Sequence, residues 1–322
     1  MTGFGPLSVL AAWGLDAVLG DPPWIPWPHP VVAMGRAVAA LERRLYRSAG
    51  LLWRGAVLWG AVVAGAGGAA LALWRAAGWV HPVLGAAVGV YLAYTCLATR
   101  CLDQEAREVG RWVRRGRIPQ ARRRLSRIVG RDTSDLSPSE ILRAALETVA
   151  ENASDGVVAP LFYLMLGAAL GWGPALAVAY KAVNTLDSMV GYRTPRYETF
   201  GRVSARADDV ANWLPARLTA LLAAAAAQLL WRRGRHTLRV AWRDGRYHKS
   251  PNAGFPEAAF AAALGVELGG PARYGGVMRP SPRLGDPGPR LEPAHLDRAF
   301  RLLWATSALA AAGGALVVVF FP

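Results

Sequence analysis

Three carboxylates at helical spacing directly precede an apolar segment near the middle of the chain. Glu147, Glu151 and Asp155 occupy positions i, i+4 and i+8, so a helix would stack their side chains on one face. Like charges in this arrangement repel unless they are well solvated, paired with basic side chains or neutralised by a divalent cation. Oxygen ligands beside a phosphate are a usual site for magnesium. Asn152 and the Asp155-Gly156 step favour such a site over a plain solvated helix face.

A second group of polar side chains lies at the end of the same apolar segment. Lys181, Asn184 and Asp187 are at i, i+3 and i+6 and share one broad helix face. Together they could hold a phosphate, an ammonium group and a metal-bound oxygen. The alternative is a buried Lys181–Asp187 pair that locks two helices together. Further along, Asp208 and Asp209 are adjacent. Paired aspartates of this kind occur in metal-nucleotide sites, but the pair alone is weak evidence for one.

Two more regions combine polar side chains with small or rigid residues. Near the N-terminus, Asp16 lies inside an apolar run, where a charge costs roughly 2.5–3.5 kcal/mol at mid-bilayer and therefore needs a partner. Asp21 and His29 follow in a proline-rich turn, in which His29 is either a proton carrier or a structural residue. The segment 244–257 offers Lys249 to an anion beside small residues, which indicates either a phosphate loop without the Walker pattern or a tight polar turn.

The amino-acid composition indicates the kind of structure that must position these side chains. The chain has 322 residues, 53% of them hydrophobic and only 18% charged, with a formal net charge of +15, which is typical of an integral membrane protein. Apolar segments occur near 7–20, 51–74, 79–99, 157–180, 213–231 and 300–321. The first segment has no basic start and no cleavage site, so we expect it to be retained. We predict an all-α, polytopic membrane protein with one domain over residues 1–322.

Arginine distribution orients the chain by the positive-inside rule. Arginines crowd the region after the first apolar segment and residues 100–131, which should therefore be cytoplasmic, whereas the turn carrying only Arg75 should face outwards. Basic residues near a membrane surface are expected, so nucleic acid is not a predicted partner. Cys96 and Cys101 fit neither a zinc pair nor a disulfide framework.

The path of the apolar segment 157–180 through the membrane can be interpreted in two ways. As a single crossing it would place the polar motifs on both sides of the membrane. We favour a re-entrant helical hairpin broken at 171–174, where the sequence Gly-Trp-Gly-Pro releases backbone groups. The polar regions 100–156, 181–212 and 232–299 would then all face the cytoplasm.

Water-facing helices should connect these segments. We expect helices near 101–115 and 119–129, and a third that begins after Ser137, with Pro138 at its first position and Glu140 in a capping box. Residues 268–293 are rich in Gly, Pro and Arg and indicate a long surface loop or lid.

In order along the chain, these blocks resemble the CobD/CbiB family of cobalamin biosynthesis, the adenosylcobinamide-phosphate synthases. The resemblance covers nearly the whole chain and rests on five blocks: Asp16 with Gly20-Asp21-Pro22 and His29-Pro30-Val31; Glu147 to Asn152 with Asp155-Gly156 and Ala159-Pro160; Ala182 to Met189 with Gly191-Tyr192; Phe200-Gly201 with Ala207-Asp208-Asp209; and Ser250 to Gly254 with Pro256-Glu257. Departures are an extra segment from Pro22 to Pro28 and long basic loops.

The resemblance implies a ligase of the cell inner membrane that joins adenosylcobyric acid to aminopropanol or its phosphate. ATP would be a co-substrate, Mg²⁺ a cofactor, and an acyl phosphate the simplest activated intermediate. The lipid bilayer and other membrane enzymes of cobalamin assembly are the expected partners. The rival from another class is an ion-coupled transporter, which would use intramembrane Asp16, Lys181 and Asp187, but no inverted repeat is evident.

The five sequence blocks that carry the family resemblance also supply the expected site residues. Expected catalytic residues are Glu147, Glu151, Asp155, Lys181 and Asp187. Expected metal ligands are Glu151, Asp155, Asp208 and Asp209. Expected substrate- or nucleotide-binding residues are Asp16, Asp21, His29, Asn152, Asn184, Lys249, Ser250, Asn252 and Glu257. The pattern does not distinguish which acid binds the metal and which accepts a proton.

Overall fold

The chain is almost entirely helical in the computed structural model, which describes residues 4–22, 29–47 and 49–320. The described helices are, in chain order, α1 (Pro6–Leu19), α2 (Pro30–Leu45), α3 (Leu51–Val80), α4 (Pro82–Tyr94), α5 (Thr99–Arg114), α6 (Ile118–Leu125), α7 (Pro138–Ala153), α8 (Ala159–Ala169), α9 (Ala175–Val190), α10 (Arg202–Ala211), α11 (Trp213–Trp231), α12 (Gly234–Asp244), α13 (Gly254–Leu264) and α14 (Pro293–Phe320). Proline stands in the first turn of α1, α2, α4, α6 and α7, where its missing N–H costs nothing. The predicted all-α class is confirmed.

The chain divides into two compact units, each built from discontinuous segments. The first unit comprises residues 1–98, 159–212 and 311–322, and the second comprises residues 99–158 and 213–310. Because the segments of the two units alternate along the chain, the single domain over 1–322 stays a prediction.

In the first unit, α9 packs against α3, α8, α10 and α2, and α4 packs against α3 and α1. Small residues allow these close approaches. A Cβ added at Gly67 on α3 would lie 3.1 Å from the Cβ of Ala179, and one at Gly55 would lie 1.9 Å from the carbonyl oxygen of Phe200. Close packing through small residues is common between membrane helices.

The helical hairpin predicted within residues 157–190 is present as α8 and α9. The connection contains Gly171 and Gly173 with positive φ, and Arg75 donates a hydrogen bond of 2.8 Å to the Gly171 carbonyl. A Cβ at Gly173 would also meet the Trp74 ring at 2.7 Å. The predicted break at 171–174 is therefore confirmed, and the alternative of one continuous helix over 157–180 is excluded, because the glycine turn divides the segment into two short helices.

In the described part of the chain, four helices are long and apolar enough to cross a membrane: Leu51–Val80, Pro82–Arg114 taken as one continuous stretch, Trp213–Trp231 and Pro293–Phe320. They match the predicted segments 51–74, 79–99, 213–231 and 300–321. The predicted segment 7–20 is the shorter apolar helix α1. The structure thus agrees with a multi-pass membrane protein.

In the second unit, α11, α12 and α13 pack on one another, and α7 contacts α5, α6 and α13. One apolar core joins these helices with the first turns of α14, and its largest buried side chains include Phe260, Phe300 and Leu146. The two helices predicted near 101–115 and 119–129 are α5 and α6.

The start of α7 is a complete capping box. The Ser137 hydroxyl accepts a hydrogen bond from the Glu140 amide, and the Glu140 carboxylate accepts one of 2.7 Å from the Ser137 amide. Both orphan donors are thereby satisfied. The predicted cap is confirmed.

Replacing Ser137 by alanine should lower the free energy of unfolding by about 1 kcal/mol, because the amide at the third helical position loses its acceptor. Chemical denaturation in detergent measures the change. Replacing Ser126, whose hydroxyl bonds a carbonyl three residues earlier, by alanine is the control and should change it by less than half as much.

The helix that carries the acidic stripe is not regular throughout. Glu147 and Glu151 lie on α7, whereas Asp155 lies in a π-helical turn over Ser154–Val158. A common face for all three acids stays a prediction. Such single π turns are frequent at functional sites.

Residues 268–284, predicted as part of a long loop, form four very short strands. β1 (Leu268–Gly269) pairs antiparallel with β4 (Arg283–Leu284), and β2 (Ala272–Tyr274) pairs antiparallel with β3 (Val277–Arg279). Asp132 fixes the tip, since its carboxylate accepts hydrogen bonds from the amides of Gly275 and Gly276 at 3.1 and 2.7 Å. The segment is therefore an ordered hairpin and not an irregular loop.

Candidate functional site

The first unit gathers three polar side chains around Asp208, and we call Lys181, Asn184, Asp208 and Asn212 the Asp208 cluster. Asn212 donates a hydrogen bond of 3.0 Å to one carboxylate oxygen of Asp208, and Asn184 donates one of 3.4 Å to the other. Tyr180 donates to the Asn212 amide oxygen at 2.8 Å. The predicted Lys181 and Asn184 therefore lie beside the predicted Asp208.

The pKa of the Asp208 carboxyl is shifted towards neutral pH. Burial raises the pKa of Asp208 to about 6, an effect that the hydrogen bonds from Asn212 and Asn184 and the charge of Lys181 partly offset. Burial also raises the pKa of Asp209, while Arg193 and Arg206 act to lower it. A carboxyl that titrates near pH 6 can accept a proton at physiological pH and release it again.

Aromatic rings enclose the cluster on one side. Tyr163 stacks on Tyr180 with ring centroids 4.8 Å apart, and its hydroxyl donates to the Ala211 carbonyl at 2.9 Å. Tyr180 and Asn212 were not predicted as site residues. Tyr180 directly precedes Lys181 in the sequence. Its contact with Asn212 could not be predicted, because only the fold brings α10 against α9.

Asp187 lies at the last turn of α9, against the backbone that leaves the helix. A Cβ at Gly191 would lie 1.9 Å from the Asp187 carboxylate, so only glycine fits beneath this side chain. Its assignment as catalytic, and the alternative of a Lys181–Asp187 pair, both stay predictions.

The N-terminal acids also lie in the first unit. Asp16 is buried on α1, and Tyr94 lies within electrostatic range of Asp16 and Asp21 and donates a hydrogen bond to the Gly20 carbonyl. His29 Nε2 lies 3.2 Å from an Asp21 carboxylate oxygen, close enough for an ion pair but without hydrogen-bond alignment. The described residues of this N-terminal block therefore lie close to one another. The predicted extra segment from Pro22 to Pro28 lies, apart from Pro22, outside the described residues.

The second unit holds a different acidic group, and we call Arg131, Glu147, Glu151 and Glu257 the Glu147 cluster. The Glu147 side chain is 6% exposed. One of its oxygens lies 2.5 Å from an Arg131 nitrogen, and the other accepts a hydrogen bond of 2.7 Å from the Gly269 amide. Arg143 approaches the latter oxygen at 3.9 Å. Glu147 thus anchors the 268–284 hairpin, a structural duty that its predicted catalytic role did not include.

Glu257 is fully enclosed in the first turn of α13. Its pKa is raised well above the ordinary value by burial, and further by the charges of Glu147 and Glu151, whereas Arg131 acts to lower it. A raised pKa favours the protonated form of a carboxyl, which can donate a hydrogen bond. The predicted binding role of Glu257 is compatible with this state.

The remaining predicted residues of α7 and the π turn differ in exposure. Glu151 is exposed, Asp155 is half-buried, and the Asn152 amide donates to the Thr148 carbonyl of its own helix at 3.0 Å. Arg131 was missed as a member of the site. Its local sequence carries no signal, because its contact with Glu147 depends on the tertiary fold.

The segment 248–254 is a tight turn that begins α13. The Ser250 hydroxyl accepts hydrogen bonds from the amides of Asn252 and Ala253, both at 3.2 Å, and the Asn252 amide oxygen accepts one of 3.3 Å from Arg217. The Ser250 hydroxyl thus already accepts hydrogen bonds from backbone amides that a phosphate loop would offer to its ligand. Lys249 is exposed and can reach an anion. The structure favours the polar-turn alternative for the backbone.

Gly254 is required for this turn. A Cβ there would lie 2.4 Å from both the Gly245 carbonyl oxygen and the His248 Cβ. Replacing Gly254 by alanine should therefore cost about 1–3 kcal/mol of folding free energy by overpacking. Thermal unfolding in detergent measures it, and Gly130→Ala, where a Cβ meets open space, should be close to neutral.

Magnesium needs six oxygen ligands, which beside nucleotides are mostly water and phosphate with one or two carboxylates. Among residues 4–22, 29–47 and 49–320, no group of three or more His, Cys, Asp or Glu side chains is arranged to hold a metal ion. Glu151 and Asp155 lie in the second unit, and Asp208 and Asp209 in the first. Asp208 and Asp209 are adjacent on α10, and both carboxylate oxygens of Asp208 already accept hydrogen bonds, so the roles of these acids as metal ligands stay predictions.

Comparison with known proteins identifies the family. The family model described as CobD/Cbib protein matches residues 9–303. The chain belongs to this family. The site residues of both units, from Asp16 to Glu257, fall within the matched range, so the resemblance inferred from the sequence blocks is confirmed.

Curated relatives match over nearly the full length. A "Cobalamin biosynthesis protein CobD" of Klebsiella pneumoniae subsp. pneumoniae is 47% identical over 95% of both chains. One of the same description from Geobacter metallireducens is 49% identical over 94% of this chain and 93% of its own. A "Cobalamin biosynthesis protein CbiB" of Salmonella typhimurium is 46% identical over 95% and 96%. No solved structure matches the chain significantly.

Proposed function

We propose that the protein is a membrane ligase of cobalamin biosynthesis, an adenosylcobinamide-phosphate synthase. It would join the carboxyl of adenosylcobyric acid to the amine of aminopropanol or its phosphate, with ATP as co-substrate. The Asp208 cluster is the main structural support, because it combines a carboxyl that titrates near pH 6 with a nearby cation and two amides. The family and the names of the relatives support the pathway.

Amide formation from a carboxylate needs activation. In the simplest route, the substrate carboxylate attacks the terminal phosphorus of ATP, ADP leaves, and an acyl phosphate forms. The amine nitrogen then attacks the acyl carbon, inorganic phosphate leaves, and a proton passes from the nitrogen to a base. Most of the acceleration in such chemistry comes from positioning and charge neutralisation.

Asp208 is the proposed proton acceptor. Its carboxylate is held by Asn184 and Asn212, and the pKa of about 6 leaves it largely ionised at pH 7.5. Lys181 would bind a substrate anion next to it. In the second unit, Lys249 would bind a phosphate, and the buried Glu257, whose pKa is raised, would contact an oxygen of substrate.

Magnesium would be held by Asp208 or Asp209 together with phosphate oxygens, and when bound it would neutralise phosphate charge. Asp208 would then be needed as an anion for metal binding as well. Glu151 and Asp155 remain proposed ligands in the second unit.

Product analysis tests the proposal. Membranes containing the protein, supplied with adenosylcobyric acid, aminopropanol phosphate, ATP and Mg²⁺, should form the amide and ADP in equal amounts. Free aminopropanol in place of its phosphate identifies the preferred amine. Uptake of a substrate into vesicles without amide formation would contradict the ligase and favour an ion-coupled transporter.

We also propose an inner-membrane location with residues 181–212 on the cytoplasmic side, where ATP is present. Ser204 is buried and unsuitable for labelling, whereas Val210 is 77% exposed. With Cys96 and Cys101 replaced by alanine, Val210→Cys should resist a membrane-impermeant maleimide in intact cells and react after lysis. Ala76→Cys, beside Arg75 in the stretch predicted to face outwards and exposed, should react in intact cells. Reaction of Val210→Cys in intact cells would contradict the topology.

A further inference from the structure

A cavity of about 290 Å³ in the second unit is lined by one face of α5 and the first turns of α14. The α5 side chains recur at helical spacing, from Arg100 through Gln104 and Arg107 to Arg114. Gly110 lets the two helices approach, because a Cβ there would lie 3.1 Å from a Leu296 methyl carbon. The cavity is therefore a groove along α5 that α14 closes on one side.

The groove carries excess positive charge. Its lining contains four arginines and two aspartates: Arg100, Arg107, Arg111, Arg114, Asp103 and Asp297. The aspartates are already engaged. Asp103 accepts hydrogen bonds of 2.8 and 2.9 Å from Arg107, and Asp297 accepts one of 2.5 Å from Arg114. Two of the four positive charges remain without a carboxylate inside the groove.

Arg100 is the least satisfied of them. Within residues 4–22, 29–47 and 49–320, Arg100 makes no hydrogen bond or ion pair, and its Nε is shielded from solvent. A shielded guanidinium N–H without an acceptor is costly, so an anion that enters the groove gains a strong hydrogen bond there. Arg111, in contrast, is paired with Glu108 outside the lining.

The rest of the lining limits the ligand. Leu296 and Phe300 are buried, and the Arg107 guanidinium lies 4.2 Å from the centroid of the Phe300 ring. Pockets for small ligands usually measure about 300–1,000 Å³, so at about 290 Å³ this groove lies at the small end of that range. It suits a small anionic group with an uncharged neighbour.

The position of the groove in the sequence points to the membrane surface. Arg100 directly follows the apolar segment 79–99, and Phe300 begins the apolar segment 300–321. Both segments belong to helices long enough to cross a membrane. Basic pockets at such helix ends commonly bind phosphate headgroups.

We propose that this groove binds a phosphate-ester group, with Arg100 as its principal ligand. The chemistry is shared by an anionic lipid headgroup and a small soluble phosphate ester. The proposal does not rest on the ligase activity, since the groove residues take no part in the reaction steps above.

Purified full-length protein in detergent tests the proposal in two arms. The lipid arm titrates dihexanoyl-phosphatidylglycerol against the zwitterionic dihexanoyl-phosphatidylcholine, and the soluble arm titrates glycerol 3-phosphate. Binding is read by native mass spectrometry and by the shift in Tm. Arg100→Gln should weaken binding at least about tenfold in whichever arm binds. The matched control Arg301→Gln removes an exposed charge outside the lining and should change affinity less than about twofold.

A second variant separates the groove from general surface charge. Gln104 is an exposed lining residue, so Gln104→Trp should fill the groove at constant charge and weaken binding as Arg100→Gln does. Binding in the lipid arm alone identifies a headgroup, and binding in the soluble arm identifies a small phosphate ester. Absence of binding in both arms, or equal losses for Arg100→Gln and Arg301→Gln, would overturn the proposal.

Discussion

Replacing Asp208 by asparagine should lower amide formation by about 100-fold or more and at the same time raise the thermal stability of the protein at pH 8. The activity falls because the variant has lost the proposed proton acceptor, a role usually worth 10²–10⁴-fold. The stability rises because asparagine removes a charge that is buried at pH 8. Its amide oxygen still accepts the hydrogen bond from Asn212, whereas the contact with Asn184 is kept only when the Asn184 amide turns its oxygen towards the new NH₂ group.

The pH dependence follows from the pKa. Burial raises the pKa of Asp208 from 3.8 to about 6, so the folded state holds this proton more tightly than the unfolded state. The resulting stability is fully present below pH 3.8 and is lost as the pH rises through about 6. The gain in Tm of Asp208→Asn should therefore be larger at pH 8 than at pH 5. Wild-type kcat/KM should rise with pH through about 6.

Activity assays and thermal unfolding of the same preparations measure both effects. Asp135→Asn is the control, because Asp135 has a side chain 75% exposed and should affect neither quantity. Near-normal activity of Asp208→Asn, or a flat activity profile between pH 5 and 7, would show that Asp208 is a packing residue only.

Replacing Glu147 by alanine should cost about 3–5 kcal/mol of folding free energy. The change leaves the Arg131 guanidinium, whose side chain is 14% exposed, without its carboxylate and removes the acceptor of the Gly269 amide. Breaking a buried pair by removing one partner is strongly destabilising, because the other charge stays buried. Urea denaturation in mixed micelles gives the free energy, and limited proteolysis of the 268–284 hairpin reports its release.

A double-variant cycle separates the pair from general packing. Arg131→Met combined with Glu147→Leu should cost less than the sum of the two single changes, since no buried charge remains. Asp135→Ala, which breaks an exposed pair with Arg273, should cost less than about 1 kcal/mol. Additive costs in the double variant would indicate that Arg131 and Glu147 act independently.

The sequence by itself determined the helices and several of their ends. Apolar runs predicted α3, α11 and α14, because a chain segment of that length and composition must satisfy its backbone internally. Ser137, Pro138 and Glu140 predicted the start of α7, and the glycines near 171–174 predicted the α8–α9 turn. These signals act within a few residues, so no tertiary contact is needed to interpret them. The ordered blocks also sufficed to indicate the family.

Only the tertiary structure decided which polar groups meet and in which state. Glu147 binds an amide 122 positions away, at Gly269, and the carboxyl of Asp208 is tuned by residues on two packed helices. The π turn at 154–158, which no local signal predicted, places Asp155 outside the regular α-helix that carries Glu147 and Glu151. Spacing fixes the face on which a side chain lies, but burial and charge compensation depend on what packs against that face, and packing is set by the whole chain.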